Sequence, residues 1–219
     1  MKINRTKRAS KVLEFYKRHF SLELDPLEIF LDYTFTNVAL QNHVQILNAF
    51  KSLIGSKFKL VTSSCVIKEC ELLGPALSGA MKILNSFKVL PCRHTFDIQK
   101  GGSSWCMKKR LSSISVNEKS KKNFLFGIAS NDEKIRDHSR SVAGVPIFFI
   151  VKQVLICESI PELISEKISE QTKSSLKLSR SEEKSIEKLN QTFGIVVEKK
   201  DDKRKRKQPN PLSCKKKSK

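Results

Sequence analysis

Three acids stand where carboxylates can do phosphodiester chemistry. Asp32 closes the apolar run EIFLDY, Glu69 lies in the amphipathic segment that follows KLVTS, and Asp132 follows FLFGIAS. If each run is a parallel strand, each acid sits at its carboxyl end, the edge at which open α/β sheets bind ligands. Carboxylates gathered there repel one another unless a divalent cation neutralises them. Hard oxygen donors suit Mg²⁺ or Mn²⁺, which activate water against a phosphodiester. The plainer alternative is that Asp132 caps a helix, Glu69 is an exposed helical acid and Asp32 answers a backbone amide. A second constellation, Cys92, His94 and Cys106 in PCRH and SSWC, offers thiolates and an imidazole, the preferred donors for zinc. The glycines of QKGGSS let the last of them fold back. Against this, both cysteines are also small enough to be buried hydrophobes and His94 a loop residue. Cys65, Cys157 and Cys214 otherwise read as ordinary thiols, and His19, His43 and His138 as surface or helix-face residues.

Positioning such groups requires a sheet. From about residue 28 to 155, short β-rich runs (EIFLDYTF, KLVTS, FLFGIAS, GVPIFFIV) alternate with the amphipathic segments VALQNHVQILNAFKSLI, SCVIKECELLGPALSGAMKILNSF and NDEKIRDHSR. Strands separated by helices imply an α/β fold with a mainly parallel sheet covered on both faces. Beyond residue 160 the apolar pattern thins and charge rises. That segment predicts one or two solvent-facing helices leading into a disordered tail. The expected organisation is a basic helical arm over 1–24, the α/β domain over 25–157 with a Cys/His insertion at about 91–110, a charged helical extension over 158–200 and a disordered basic tail over 201–219.

Charge is concentrated at the ends. The formal net charge is +20; residues 1–18 hold seven Lys/Arg against Glu14, and residues 203–219 hold nine against none. Six and nine leave only +5 for the rest, so nucleic acid is the natural partner. The candidate phosphate contacts are Lys2, Arg5, Lys7, Arg8, Lys11, Lys17 and Arg18, then Lys203, Arg204, Lys205, Arg206, Lys207, Lys215, Lys216 and Lys217. The spacing of Val12, Leu13, Phe15, Tyr16 and Phe20 predicts a helix with an apolar face, and Tyr16 is a candidate base stacker. Trp105 is either a second stacking platform or an anchor for its loop. A membrane is ranked well below RNA, because the C-terminal run has almost no apolar residues to insert. No signal-peptide-like run opens the chain, and PIFFIVKQVLIC is short and interrupted by Lys152. An intracellular protein with thiols or metal ligands, not a disulfide framework, is therefore expected. KRKRK at 203–207 suits nuclear import.

Several segments in order, MKINRTKRASKVLEFYKRHF, FLDYTF, TSSCVIKECELLG, GIASNDEKI, VAGVPIFFIV and PNPLSCKKKSK, carry a resemblance. Together they resemble the small-subunit processome PIN-domain proteins of the U-three-associated protein twenty-three family, with the Fcf-one proteins as close relatives. The resemblance implies a three-layer α/β/α PIN-like domain in a nuclear, nucleolar rRNA-processing factor, bound to pre-rRNA or a small nucleolar RNA and to other processome proteins. Active PIN nucleases use about four acids, and Asp32, Glu69 and Asp132 fall where three of them stand in the family pattern. The fourth position falls near Ser113 in RLSSISV, with Glu118, Glu133 and Asp137 the only nearby substitutes. That favours a binding platform over an active metal-dependent endoribonuclease, in which Mg²⁺ or Mn²⁺ would serve. A mainly protein-binding scaffold using the Glu/Lys-rich segment 160–190 is the third reading.

The family also implies a Cys-Cys-His-Cys zinc site in the insertion, whose first cysteine falls at Phe87 here. Completing four-coordinate zinc then requires Cys70 or Cys65 from the neighbouring helix, with Cys70 the first choice.

Overall fold

The apolar runs pair as six strands in a computed structural model that describes residues 2–20, 22, 24–92, 94–116, 126–142, 144–176 and 180–193. In chain order they are β1 (Leu27–Leu31), β2 (Phe58–Ser63), β3 (Lys88–Leu90), β4 (Gly127–Ala129), β5 (Ile147–Val151) and β6 (Val154–Cys157). The sheet order is β3-β2-β1-β4-β5-β6, parallel throughout except for the antiparallel β5–β6 hairpin. β1 leads to a neighbour on one side and β4 to a neighbour on the other. The strand order therefore reverses between β1 and β4, where such sheets open a crevice at their carboxyl edge.

The helices are α1 (Lys2–Phe20), α2 (Tyr33–Gln41), α3 (Ile46–Ile54), α4 (Ser64–Leu72), α5 (Ser78–Asn85), α6 (Gly102–Val116), α7 (Glu133–Ser141), α8 (Glu162–Ser175) and α9 (Arg180–Thr192). The N-terminal arm is a helix of the domain. Ala9, Val12, Leu13 and Tyr16 recur at helical spacing, are buried, and pack α1 on α3 and β6. Residues 1–170 form one compact unit and 171–219 a second; in the second, α9 exposes Ile186 and Leu189, and Phe193 just after it is exposed too.

Three boundaries differ from the sequence reading. EIFLDYTF is not strand throughout: pairing stops after Leu31, and the Asp32 carbonyl already accepts from the Thr36 amide at 3.2 Å as α2 begins. VALQNHVQILNAFKSLI is two helices. Asn42 caps α2 by donating from Nδ2 to the Val38 carbonyl at 2.8 Å, and His43 turns the chain at φ +55°. α6 begins at the QKGGSS glycines and carries only a sparse apolar stripe, Met107, Leu111 and Ile114, among serines and lysines, so the sequence reading places no helix there.

At the core, Phe50 meets Phe35, Phe58 and Phe148 with ring centroids 5.9, 5.7 and 5.3 Å away, joining α2 and α3 to the sheet. Burying each such ring is worth about 1.5–3 kcal/mol. These contacts hold α2 and α3 against β2 and β5.

Candidate functional site

Asp32, Glu69 and Asp132 all lie at the carboxyl edge of the sheet, joined through serines and a threonine. Asp32 is fully buried. Its Oδ2 accepts from Thr34 Oγ1 and, at 3.0 Å, from Ser130 Oγ, while Oδ1 is buried with no hydrogen-bond partner. Ser130 Oγ also accepts from the Asp132 amide at 3.1 Å, tying the exits of β1 and β4 together. Asp132 is the N-cap of α7, its Oδ1 accepting from the Lys134 amide at 3.0 Å. Its Oδ2 accepts from Ser104 Oγ at 3.4 Å. Glu69 Oε2 accepts from the Ser103 amide at 2.6 Å, so a carboxylate of α4 closes the first turn of α6, where the helix dipole favours negative charge.

Burial pushes the Asp32 carboxyl up to about 6; hydrogen bonds from Thr34, Ser130 and the Tyr33 amide pull it down, and the Glu69 charge adds to the rise. Burial, then the charges of Glu69, Asp32 and Asp132, pushes the Tyr33 hydroxyl up to about 12. The three acids are thus within electrostatic reach of one side chain. Their oxygens nevertheless do not gather into a metal-sized cluster among the described residues. The nearby substitutes for a fourth acid are engaged elsewhere: Glu133 and Asp137 both pair with Arg140, Glu133 at 2.9 Å. Glu118 and the Ser113 side chain lie outside the described residues.

Gly102 makes the Glu69 contact possible. Its φ is +55°, and a Cβ there would lie 2.9 Å from Glu69 Oε2. Gly102→Ala should therefore cost about 1–3 kcal/mol, combining left-handed backbone with displacement of the cap. The control is Gly102→Ala in a Glu69→Ala background, where no carboxylate stands in the way of the new Cβ. Urea unfolding should show the larger loss in the parent background; equal losses would mean that Glu69 yields freely.

The Cys/His cluster is the tighter assembly. Ligand atoms of Cys65, Cys92, His94 and Cys106 all lie within 4.8 Å of one another. Cys92 Sγ is 3.5 Å from Cys106 Sγ, and His94 Nε2 is 3.1 Å from Cys106 Sγ and 3.7 Å from Cys65 Sγ. A tetrahedron with metal–sulfur bonds of about 2.3 Å and a metal–nitrogen bond of about 2.0–2.1 Å has edges of about 3.5–3.8 Å. The expected fourth residue, Cys70, is not there. It lies one and a half turns further along α4, buried in the hydrophobic core, its thiol pushed up to about 11 first by burial and then by the charges of Asp32 and Glu69. Cys65, in the first turn of α4, faces the insertion instead. Its signal was available in its place immediately after the strand KLVTS.

The environments of the thiols differ. Burial works against the Cys92 thiolate, but hydrogen bonds from Ser64, Arg110 and Cys65 outweigh it and bring it down to about 5. Burial and the neighbouring sulfurs push Cys65 and Cys106 up. Trp105 anchors the loop: His94 meets it edge-on at 4.9 Å between centroids, and Lys109 Nζ lies 4.9 Å from its centroid.

Among the basic residues, Lys7, Arg8, Lys11, Lys17 and Arg18 are exposed on α1, and Arg5 is half-buried, donating to the Leu155 carbonyl at 3.4 Å. Tyr16 is unavailable for stacking, since it is 4 % exposed within the core. The Lys2 side chain and the cations of 203–207 and 215–217 lie outside the described residues.

Residues 52–159 match the Fcf1 family, and residues 200–219 match the UTP23 sensor motif. The rRNA-processing protein utp23 of Schizosaccharomyces pombe is 24% identical over 186 residues, covering 85% of this chain and 68% of that protein. The rRNA-processing protein FCF1 of Saccharomyces cerevisiae is 23% identical over 141 residues, covering 63% of this chain and 67% of that protein. Among solved structures, that of the PIN domain endonuclease Utp24 superposes with a TM-score of 0.51 at 22% identity, over 63% of this chain and 98% of that one. The fold is thus the α/β PIN-like fold.

Proposed function

Because this chain belongs to the Fcf1/UTP23 family of PIN-like proteins, we propose that it is an rRNA-processing factor of ribosome biogenesis that uses its PIN fold as an RNA-binding platform. The observation that carries the platform reading is the use of the acids. Glu69 closes α6, Asp132 caps α7, and Asp32 holds Thr34 and Ser130. Two-metal phosphoryl chemistry needs carboxylates turned toward a shared space about 4 Å across, whereas Asp32 Oδ2, Glu69 Oε2 and both Asp132 oxygens accept from protein donors and the three acids form no metal-sized cluster among the described residues. The donor set does not fit a pair of Mg²⁺ or Mn²⁺ ions, so no cleavage step is assigned to it.

Cys65, Cys92, His94 and Cys106 do fit one zinc ion, of a structural kind with all four positions taken by protein. Bound there, zinc supplies a cross-link between β2–α4, the insertion and α6. The chain's own part is to favour the Cys92 thiolate, chiefly through hydrogen bonds from Ser64 and from Arg110, whose Nη2 lies 3.6 Å from its sulfur. Precursor rRNA or a small nucleolar RNA is the partner we assign, alongside other processome proteins, in the nucleolus. Of the described residues, no helix is long and apolar enough to cross a membrane.

Nine cations in residues 203–219 and five exposed ones on α1 supply the phosphate contacts. Each contact with a single strand releases condensed counterions and adds about −0.7 to the slope of log K against log salt. Deleting residues 203–219 should therefore flatten that slope by several such increments, measured by anisotropy titrations between low and physiological salt. An unchanged slope would remove the tail from the RNA interface.

A further inference from the structure

The start of α1, the α2–α3 turn, α3 and the β5–β6 turn enclose two adjoining clefts of about 180 and 460 Å³, which share Ala49 and Gln153. The larger lies within the usual range of small-ligand sites, about 300–1,000 Å³. Four side-chain amides, Asn42, Gln45, Asn48 and Gln153, line it together with His43, Val44 and Ala49; Asn42 donates to the Val38 carbonyl and Asn48 donates to Gln45 Oε1. Arg5 lines the smaller cleft. Side-chain amides present a donor and an acceptor side by side, the pattern that pairs with the edges of unpaired bases, and histidine is among the rings on which such bases stack.

Two further observations point to an anionic ligand. Residues 33–68 contain no Asp or Glu, so neither the α2–α3 turn nor α3 places a carboxylate at the cleft. And the two turns that flank it are both made by non-glycine residues in left-handed backbone, His43 at φ +55° and Lys152 at φ +56°. His43 follows the C-cap of α2, and Lys152 is the first residue of a two-residue hairpin turn; both are positions that glycine ordinarily takes. The chain accepts that strain at both turns, and the imidazole of His43 lines the larger cleft beside the amides. Arg5 spends one of its five N–H donors on the Leu155 carbonyl and presents its charge at the other end.

We propose that this cleft binds an unpaired ribonucleotide of single-stranded RNA, the base against Asn48 and Gln153 with His43 stacked on it, the phosphate toward Arg5 in the adjoining cleft. The inference rests on the RNA-binding reading above and adds to it a site for a base, separate from the acid edge, the Cys/His lobe and the tail.

The test uses the full chain and a short fluorescent oligouridylate. Asn48 and Gln153 are exposed and Arg5 is half-buried, and the unfolding midpoint verifies that each variant keeps its core. Asn48→Ala with Gln153→Ala should weaken binding about tenfold at every salt concentration, because neutral base contacts release no counterions. Arg5→Gln should instead make the slope shallower by about 0.7. Ultraviolet cross-linking of the unmodified protein should place uridine adducts on peptides holding His43 to Ser52 or Gln153. Affinity within twofold of the parent for the double variant, with no adduct on those peptides, would overturn the proposal and leave the cleft to a protein chain. If the unmodified protein fails to bind oligouridylate at any salt, the RNA-binding reading itself falls and the cleft falls with it.

Discussion

Cys65→Ser should empty the zinc site, whereas Cys70→Ser should leave it full. The two cysteines stand on one helix, and only Cys65 turns toward Cys92, His94 and Cys106. Purified protein is expected to hold about one zinc per chain, as structural sites of this donor set do. Binding to such sites is worth about 10–16 kcal/mol in isolated zinc-finger peptides, and that free energy is folding free energy. In Cys65→Ser the metal content should fall close to zero, and the insertion with the start of α6 should lose protection from hydrogen exchange. A strong chelator should produce the same pattern in the unaltered chain. Cys70→Ser puts a hydroxyl among core side chains, so it should lower stability by about 1–3 kcal/mol with zinc retained. Zinc retained by Cys65→Ser, or lost from Cys70→Ser, would sink the assignment.

The same pair of cysteines marks the limit of what sequence could locate. Spacing groups Cys92, His94 and Cys106 because they share one insertion, but a fourth donor from another element depends on which face of α4 meets that insertion. Helical rotation decides it: Cys65 and Cys70, five residues apart, point about 140° apart. The strands, by contrast, were legible because their apolar runs are bounded and β-rich, and the acids followed from the ends of those runs. Of the uses of the acids, the Asp132 cap was legible as an acid just before a helical run, and that of Glu69 was not. Glu69 becomes the cap of α6 only because Gly102 leaves room for its carboxylate, and α6 has only a sparse apolar stripe to announce a helix there. The fit of α1 to the sheet was half visible. Its stripe predicted an apolar face, and the fold shows that β6 and α3 take it up, which withdraws Tyr16 from any role at the surface.

Asp32→Asn should make the protein more stable at pH 7.5 and have no such benefit at pH 4. The Asp32 carboxyl is fully buried, and its pKa is raised from 3.8 to about 6, chiefly by that burial. Facing it are the Thr34 and Ser130 hydroxyls and the Tyr33 amide, which favour the charged form, and Glu69, which opposes it. Between pH 3.8 and 6 the folded state therefore binds more protons than the unfolded state, so stability falls as pH rises. The stabilisation is complete below the unfolded pKa and lost as pH passes the folded one, about 3 kcal/mol in all. Asparagine keeps an oxygen to accept from Thr34 and Ser130 and cannot ionise. Its amide nitrogen meets the partnerless position of Oδ1, which costs part of the gain. A net stabilisation of about 1–3 kcal/mol at neutral pH is expected from unfolding curves across pH, with RNA affinity unchanged. Cation binding is read in the same samples. If Asp32 served a catalytic ion, Mn²⁺ would raise the midpoint of the parent and not of the variant, and the parent would cut single-stranded RNA. We expect neither, because each acid already serves the fold: Asp32 Oδ2 and Glu69 Oε2 accept from protein donors, as do both Asp132 oxygens, and the three do not gather into a metal-sized cluster among the described residues. A Mn²⁺-dependent midpoint together with cleavage abolished by Asp32→Asn would restore the nuclease reading, and a variant less stable at pH 7.5 than its parent would show that the carboxylate is needed in its charged form to join the ends of β1 and β4.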